Sequence, residues 1–111
     1  MKINQFDIWL ADLNPARGTE PDKTRPVVII QTDLLNEVHP SSVICPITTN
    51  LRPDIELLRV RIEEGQIDKP SDILIDQIRA IDNRRLIKII GKLNKEQILK
   101  IKKNIKILLD L

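Results

Sequence analysis

The sequence predicts an α+β fold, mainly β, in which short strands build a small curved sheet or barrel and one C-terminal amphipathic helix covers it. Three observations predict this. Short apolar-rich segments recur as far as Leu93, separated by Pro, Gly, Asn and Asp. Within them the apolar residues alternate or run unbroken, as in strands. From Lys95 the period changes: Ile98, Ile101, Ile105 and Leu108 follow one helical stripe, with Lys102, Lys103 and Lys106 mostly off it. One such helix suffices to cover one small sheet. At 111 residues, a single domain over 1–111 is expected.

Each element follows from its residues. Phe6 to Leu13 reads as a strand, with Phe6, Ile8 and Leu10 on one face and Asp7, Trp9 and Ala11 on the other. Asn14 to Thr24 is a polar loop with two prolines and a glycine. Arg25-Pro26 opens the strand Val27 to Gln31, whose unbroken apolar run implies burial on both faces. Thr32 to Asn36 is expected as a short helical turn, and His39-Pro40-Ser41 as a loop. Val43 to Thr48 is a third strand, which Pro46 demotes to an edge or bulged position. After a turn at Asn50 to Asp54, Glu56 to Ile62 is a strand with Arg59 and Arg61 on one face. Glu63 to Gln66 turns the chain. Asp72 to Ile75 and Gln77 to Ile81 form a further extended stretch. Asp82 to Arg85 is a turn, and Leu86 to Leu93 is the last strand. Asn94 is a good helix N-cap, with Gln97 placed to complete a capping box.

Composition removes several functional classes. Phe6 and Trp9 are the only aromatic residues and both lie in the first strand, so a base-stacking platform spread over a sheet is excluded. No apolar run approaches the length of a membrane span, and Met1 to Gln5 lacks the apolar stretch of a signal peptide. The lone cysteine, Cys45, lies in an apolar run and reads as a buried structural thiol. One Cys and one His do not make a Cys/His zinc site. A cytoplasmic chain without metal or cofactor is the expectation. Charge is uneven: in residues 84–111 nine basic residues stand against Glu96 and Asp110, a net of +7, leaving −5 for residues 1–83 within a total of +2. Such an end attracts phosphate or an acidic polypeptide, or simply keeps a helix face solvated.

The chemistry-bearing residues gather at strand ends. Arg17 and Glu20 lie in the first loop, Arg25 opens the second strand, and Thr48, Thr49 and Asn50 close the third. Asp76, Gln77 and Arg79 lie in the late extended stretch. An arginine fork suits phosphate, and its charge balances a developing phosphorane. Threonine donates a hydrogen bond to a phosphoryl oxygen. His39, the only histidine, precedes a proline in a loop and reads as surface decoration.

Four motifs in order carry a resemblance. Asp7-Ile8-Trp9-Leu10-Ala11-Asp12-Leu13-Asn14-Pro15-Ala16-Arg17-Gly18-Thr19-Glu20 resembles the opening of the MazF/PemK/Kid toxins. Arg25-Pro26-Val27-Val28-Ile29-Ile30-Gln31, Pro46-Ile47-Thr48-Thr49 and Asp76-Gln77-Ile78-Arg79-Ala80-Ile81-Asp82 are similar to three later blocks of that family. The resemblance runs from about Phe6 to the C-terminal helix.

It implies an SH3-like, barrel-like sheet with a C-terminal helix, as in MazF and CcdB toxins, and a homodimer. It also implies metal-independent cleavage of single-stranded RNA, often mRNA. The ribose 2′-hydroxyl attacks its own phosphate, leaving a 2′,3′-cyclic phosphate and a 5′-hydroxyl. Arg25 and Thr48 take the catalytic positions of the MazF branch. Guanidinium groups stay protonated at neutral pH, so charge stabilisation suits Arg25 better than proton abstraction. Arg17, Thr19, Glu20, Thr49, Asn50, Asp76, Gln77 and Arg79 are the implied RNA-binding residues. A MazE-like antitoxin with an acidic tail is the implied protein partner. The alternative is a CcdB-like toxin that binds a protein target such as gyrase without cutting RNA, but Ile107 to Leu111 lacks that branch's aromatic and small ending. The chain departs from the family at four places, one of them the segment Asn50 to Ile55, which looks short. Leu74 stands where the Kid branch has an arginine, Phe6 where a glycine is usual, and Pro21-Asp22-Lys23 where Gln-Gly-Gly is common.

Overall fold

The computed structural model describes residues 2–13, 24–55 and 57–111. The first loop, with Arg17, Thr19 and Glu20, therefore lies outside the described residues, as does Glu56. Among the described residues, seven strands and one α-helix follow in order: β1 (Asp7–Asp12), β2 (Thr24–Ile29), β3 (Ser41–Thr48), β4 (Arg59–Ile62), β5 (Ser71–Leu74), β6 (Arg79–Asp82), β7 (Leu86–Lys92) and α1 (Lys95–Leu109). The sheet is antiparallel in the order β4-β5-β3-β2-β1-β7, with β6 also paired to β3, and it does not close into a barrel. The expected mainly-β architecture with a C-terminal helix is thus the one observed, in its open-sheet form.

Alternation along the strands builds two cores. Ile8, Val28, Cys45, Ile47, Val60 and Ile73 pack on the face that Ile101 of α1 covers. Trp9, Ala11, Val27, Ile29, Ile44 and Leu86 pack on the opposite face. Register enforces this sorting, because Ile8 pairs with Val28 and Val28 with Cys45, whereas Trp9 pairs with Val27 and Ile29 with Ile44. The unbroken run Val27-Val28-Ile29 is fully buried because β2 supplies both cores. Cys45 is buried as expected, and that burial pushes its thiol up to about 12, with Asp76 adding to the effect.

Three local expectations need correction. Pro46 does not put β3 at an edge: β3 lies inside the sheet, between β2 on one side and β5 and β6 on the other. The reason is a change of partner. β6 pairs with Ser41 to Ile44 and β5 with Ile47 and Thr48, so Pro46 falls in the gap, where no ladder requires its missing N–H. Thr32 to Asn36 forms the single helical turn expected, with the Leu35 and Asn36 amides donating to the Thr32 carbonyl. The strand expected from Glu56 begins only at Arg59, after a turn at Leu57 and Leu58. The late extended stretch is broken by a 3-10 turn at Ile75–Gln77, which takes Gln77 out of β6 and lets the chain step from β5 to β6 on the same side of β3.

The helix begins as its sequence predicts. The Asn94 side chain accepts from the Gln97 amide and the Gln97 side chain accepts from the Asn94 amide, both at 2.9 Å. Gln97 also docks the helix: its Nε2 donates to the Arg61 carbonyl at 2.9 Å, tying α1 to β4. Phe6 has φ of +67°, the left-handed region that favours glycine, and so accounts for the glycine usual there in the family it resembles.

Candidate nuclease site

The β2–β3 ladder positions the two principal candidates. Val27 pairs with Pro46, Val28 with Cys45 and Ile29 with Ile44. Arg25 lies two residues beyond the last pair on β2, and Thr48 two residues beyond it on β3. The strands are antiparallel, so both stand at the same end of the ladder and share the parity of Val27 and Pro46, hence one face. Arg25 is exposed and Thr48 half-buried. The Thr48 hydroxyl accepts from the Asn50 amide at 3.1 Å, which closes a tight turn and fixes the end of β3.

The other candidates are distributed around that end. Thr49 and Asn50 follow Thr48 directly and are exposed. Arg79 pairs with Ile44 on β6 and is exposed on the face that bears Arg25 and Thr48. Asp76 and Gln77 lie in the 3-10 turn and are exposed. His39 is exposed, as expected, with Nδ1 within 3.2 Å of the Ser41 hydroxyl. Among the described residues, no three His, Cys, Asp or Glu side chains gather as metal ligands.

A charged cluster beside Thr48 escaped the sequence reading. Thr48 pairs with Asp72 of β5, and Asp72 in turn with Arg61 of β4. The Asp72 carboxylate is buried and accepts from Arg61 Nε at 2.7 Å, the Arg52 amide at 2.9 Å and Arg59 Nη1 at 3.2 Å. Burial acts to raise its pKa, but these three hydrogen bonds outweigh burial and hold the carboxyl below its ordinary value. Arg59 Nη1 also donates to the Asn50 carbonyl at 2.6 Å, joining the cluster to the turn after Thr48. The only available signal was that Arg59 and Arg61 share a strand face.

A model of PemK-like, MazF-like toxins of type II toxin–antitoxin systems matches residues 4–109. The chain belongs to this family. It is 41% identical over 86 residues to the Endoribonuclease MazF of Staphylococcus epidermidis, covering 76% of this chain and 72% of that relative. Solved MazF structures share the fold. Toxin MazF-mt6 of Mycobacterium tuberculosis superposes with a TM-score of 0.80 at 24% identity, over 95% of this chain and 97% of that one. The MazE–MazF complex (Form-II) of Deinococcus radiodurans gives a TM-score of 0.85 at 18% identity, over 100% of this chain and 98% of that one. The PemK/MazF assignment thus extends through the open seven-stranded sheet and its C-terminal helix.

Proposed function

We propose that this chain is the endoribonuclease toxin of a toxin–antitoxin pair, a single cytoplasmic domain that cuts single-stranded RNA, mRNA above all, without metal. The observation that carries the reading is the placement of Arg25 and Thr48 at one end and on one face of the β2–β3 ladder, within a chain of the PemK/MazF family. The Staphylococcus epidermidis relative supports the activity. The ribose 2′-hydroxyl gives its proton to solvent water and attacks the adjacent phosphorus, and the 5′-oxygen of the next nucleotide leaves and takes a proton back from water. Products are a 2′,3′-cyclic phosphate and a 5′-hydroxyl. The Arg25 guanidinium neutralises the equatorial oxygens as charge builds, and the Thr48 hydroxyl donates to one of them. Thr49, Asn50, Asp76, Gln77 and Arg79 line the approach, with Arg17, Thr19 and Glu20 supplied by the first loop. A homodimer and an acidic MazE-like antitoxin complete the system, supported by the MazE–MazF complex of Deinococcus radiodurans among similar structures.

Purified protein cuts single-stranded RNA in EDTA and leaves 5′-hydroxyl ends. Arg25→Ala lowers the rate at least ~100-fold, the effect of removing one positioned donor from such a site. Equal cutting by that variant removes Arg25 from the mechanism, and failure of the wild-type protein to cut any RNA removes the nuclease reading.

A further inference from the structure

Resting on that reading, we propose that the cavity at the edge strand β4 is a second phosphate subsite, which grips the RNA backbone to one side of the cut. The cavity has a volume of about 350 Å³. Arg52, Arg59, Arg61, Lys100 and Lys103 line it, and among the described residues that line it the only anionic side chain is Asp72. Arg52 is already held by both carboxylate oxygens of Asp54, at 3.2 Å each, so it is Arg59, Arg61, Lys100 and Lys103 around one buried carboxylate that leave a positive excess, in a recess that concentrates the field.

Two of these cations are held ready. Asp72 anchors both Arg59 and Arg61, whose side chains are only 16% and 35% exposed. A guanidinium has five N–H donors. Arg61 gives only Nε to Asp72, and Arg59 gives only Nη1 to Asp72 and Asn50. The remaining N–H groups of both have no acceptor among the described residues. Arginines fixed by packing, with donors left over, lose little freedom when an oxyanion arrives. Lys100 and Lys103 face them from α1. The 3.7 Å contact of Lys100 with Glu96 is an exposed helix pair that yields readily to a phosphate.

Continuity with the cutting site favours RNA over an acidic peptide. Thr48, Asp72 and Arg61 lie in one cross-strand row, two interstrand steps of about 4.8 Å each. Arg59 reaches back to the Asn50 carbonyl in the turn that follows Thr48. A strand of RNA with its scissile phosphate between Arg25 and Thr48 therefore meets the cluster within about 10 Å. Arg59 and Arg61 are positioned for a phosphodiester that is bound but not broken.

The test uses an RNA containing the mapped cut site, made resistant by 2′-deoxy substitution at the scissile nucleotide, and trimmed in turn from either end. The variant K100E/K103E leaves the Asp72 hydrogen bonds in place, and K95E/K106E makes the same charge change on the same helix away from the cavity. K100E/K103E is expected to weaken binding of the long RNA at least ~10-fold and to flatten the log Kd against log salt slope by about 0.7, the value for one single-strand phosphate contact. The loss disappears when the RNA is trimmed from one end only. On cleavable RNA the variant raises KM more than it lowers kcat. Equal losses in K95E/K106E overturn the subsite, as does an unchanged Kd in K100E/K103E. Loss of poly-glutamate binding with RNA affinity intact also overturns it and assigns the cavity to an acidic polypeptide. Each of these outcomes leaves the nuclease reading standing, which fails only if the wild-type protein does not cut.

Discussion

Phe6 shows how one residue couples the first strand to the helix. Its φ of +67° costs a non-glycine residue about 1–2 kcal/mol. Against that cost, the half-buried ring packs on the core that α1 covers, and Lys102 Nζ lies 5.8 Å from its centroid. The strain and the packing can be separated. Phe6→Ala removes the ring but keeps the strain, whereas Phe6→Gly removes both. The glycine variant is therefore expected to be more stable than the alanine variant by about 1 kcal/mol, contrary to the usual order in a strand or helix. Urea midpoints of the two variants measure this, and an alanine variant of equal or higher stability shows that the turn at Phe6 is unstrained. The residue was visible in the sequence as a departure from a familiar glycine, but its conformation was not, because φ depends on how β1 enters the sheet. Asp72 was less legible still. Nothing local distinguishes it from the other aspartates, and its importance comes from Arg52, Arg59 and Arg61, which reach it only across strands.

Elements were legible where the signal was local. The start of α1 followed from Asn94 and Gln97, and the burial of β2 from its apolar run. Pro46 misled because a proline forbids only one hydrogen bond, and whether that bond is needed depends on the strand next door. The break at Ile75–Gln77 was hidden for a similar reason: Ile75 is fully buried, so its apolar character continues the pattern of β5 through the turn. Gln97 carries a role that the capping motif did not announce. Beyond the capping box it donates to the Arg61 carbonyl and exchanges hydrogen bonds of 2.7 and 2.8 Å with Gln66. Gln97→Ala is expected to cost about 2 kcal/mol, roughly 1 for the cap and 1 for the tie to β4. Gln97→Glu keeps the acceptor that Asn94 needs but has no N–H for the Arg61 carbonyl. It sets a carboxylate oxygen against the Arg61 carbonyl and Gln66 Oε1 instead, and should therefore lose at least as much as the alanine variant, as read from denaturant midpoints. A glutamate variant as stable as wild type shows that the tie to β4 contributes nothing.

At the scale of the whole molecule, the open sheet leaves apolar surface that a second copy is suited to cover. Ile98, Ile101 and Ile105 turn α1 onto the core, but Ile107, Leu108, Leu109 and Leu111 continue the apolar character past it and are 48%, 37%, 52% and 83% exposed. Leu57, 56% exposed, lies beside Ile107 and Leu108 across a cleft that Pro53, Ile55 and Leu58 help to line, and Pro53, Ile55 and Leu57 also wall the cavity of Arg59 and Arg61, so this patch adjoins the proposed RNA subsite. Contiguous apolar surface of this kind marks an association site more often than a solvated face. In the proposed homodimer, two-fold symmetry presents this patch to its own copy, so each substitution acts twice. With Leu57→Asp and Leu108→Asp together, four large apolar side chains leave the interface. At a minimum of about 1.5 kcal/mol each, the dimer loses about 6 kcal/mol, roughly four decades in Kd. Sedimentation equilibrium should show a monomer at concentrations where the parent is dimeric, with the helical signal in circular dichroism retained. A variant that stays dimeric and folded moves the interface elsewhere, with Ile87 and Ile89 on β7, 51% and 46% exposed, as the next surface to substitute.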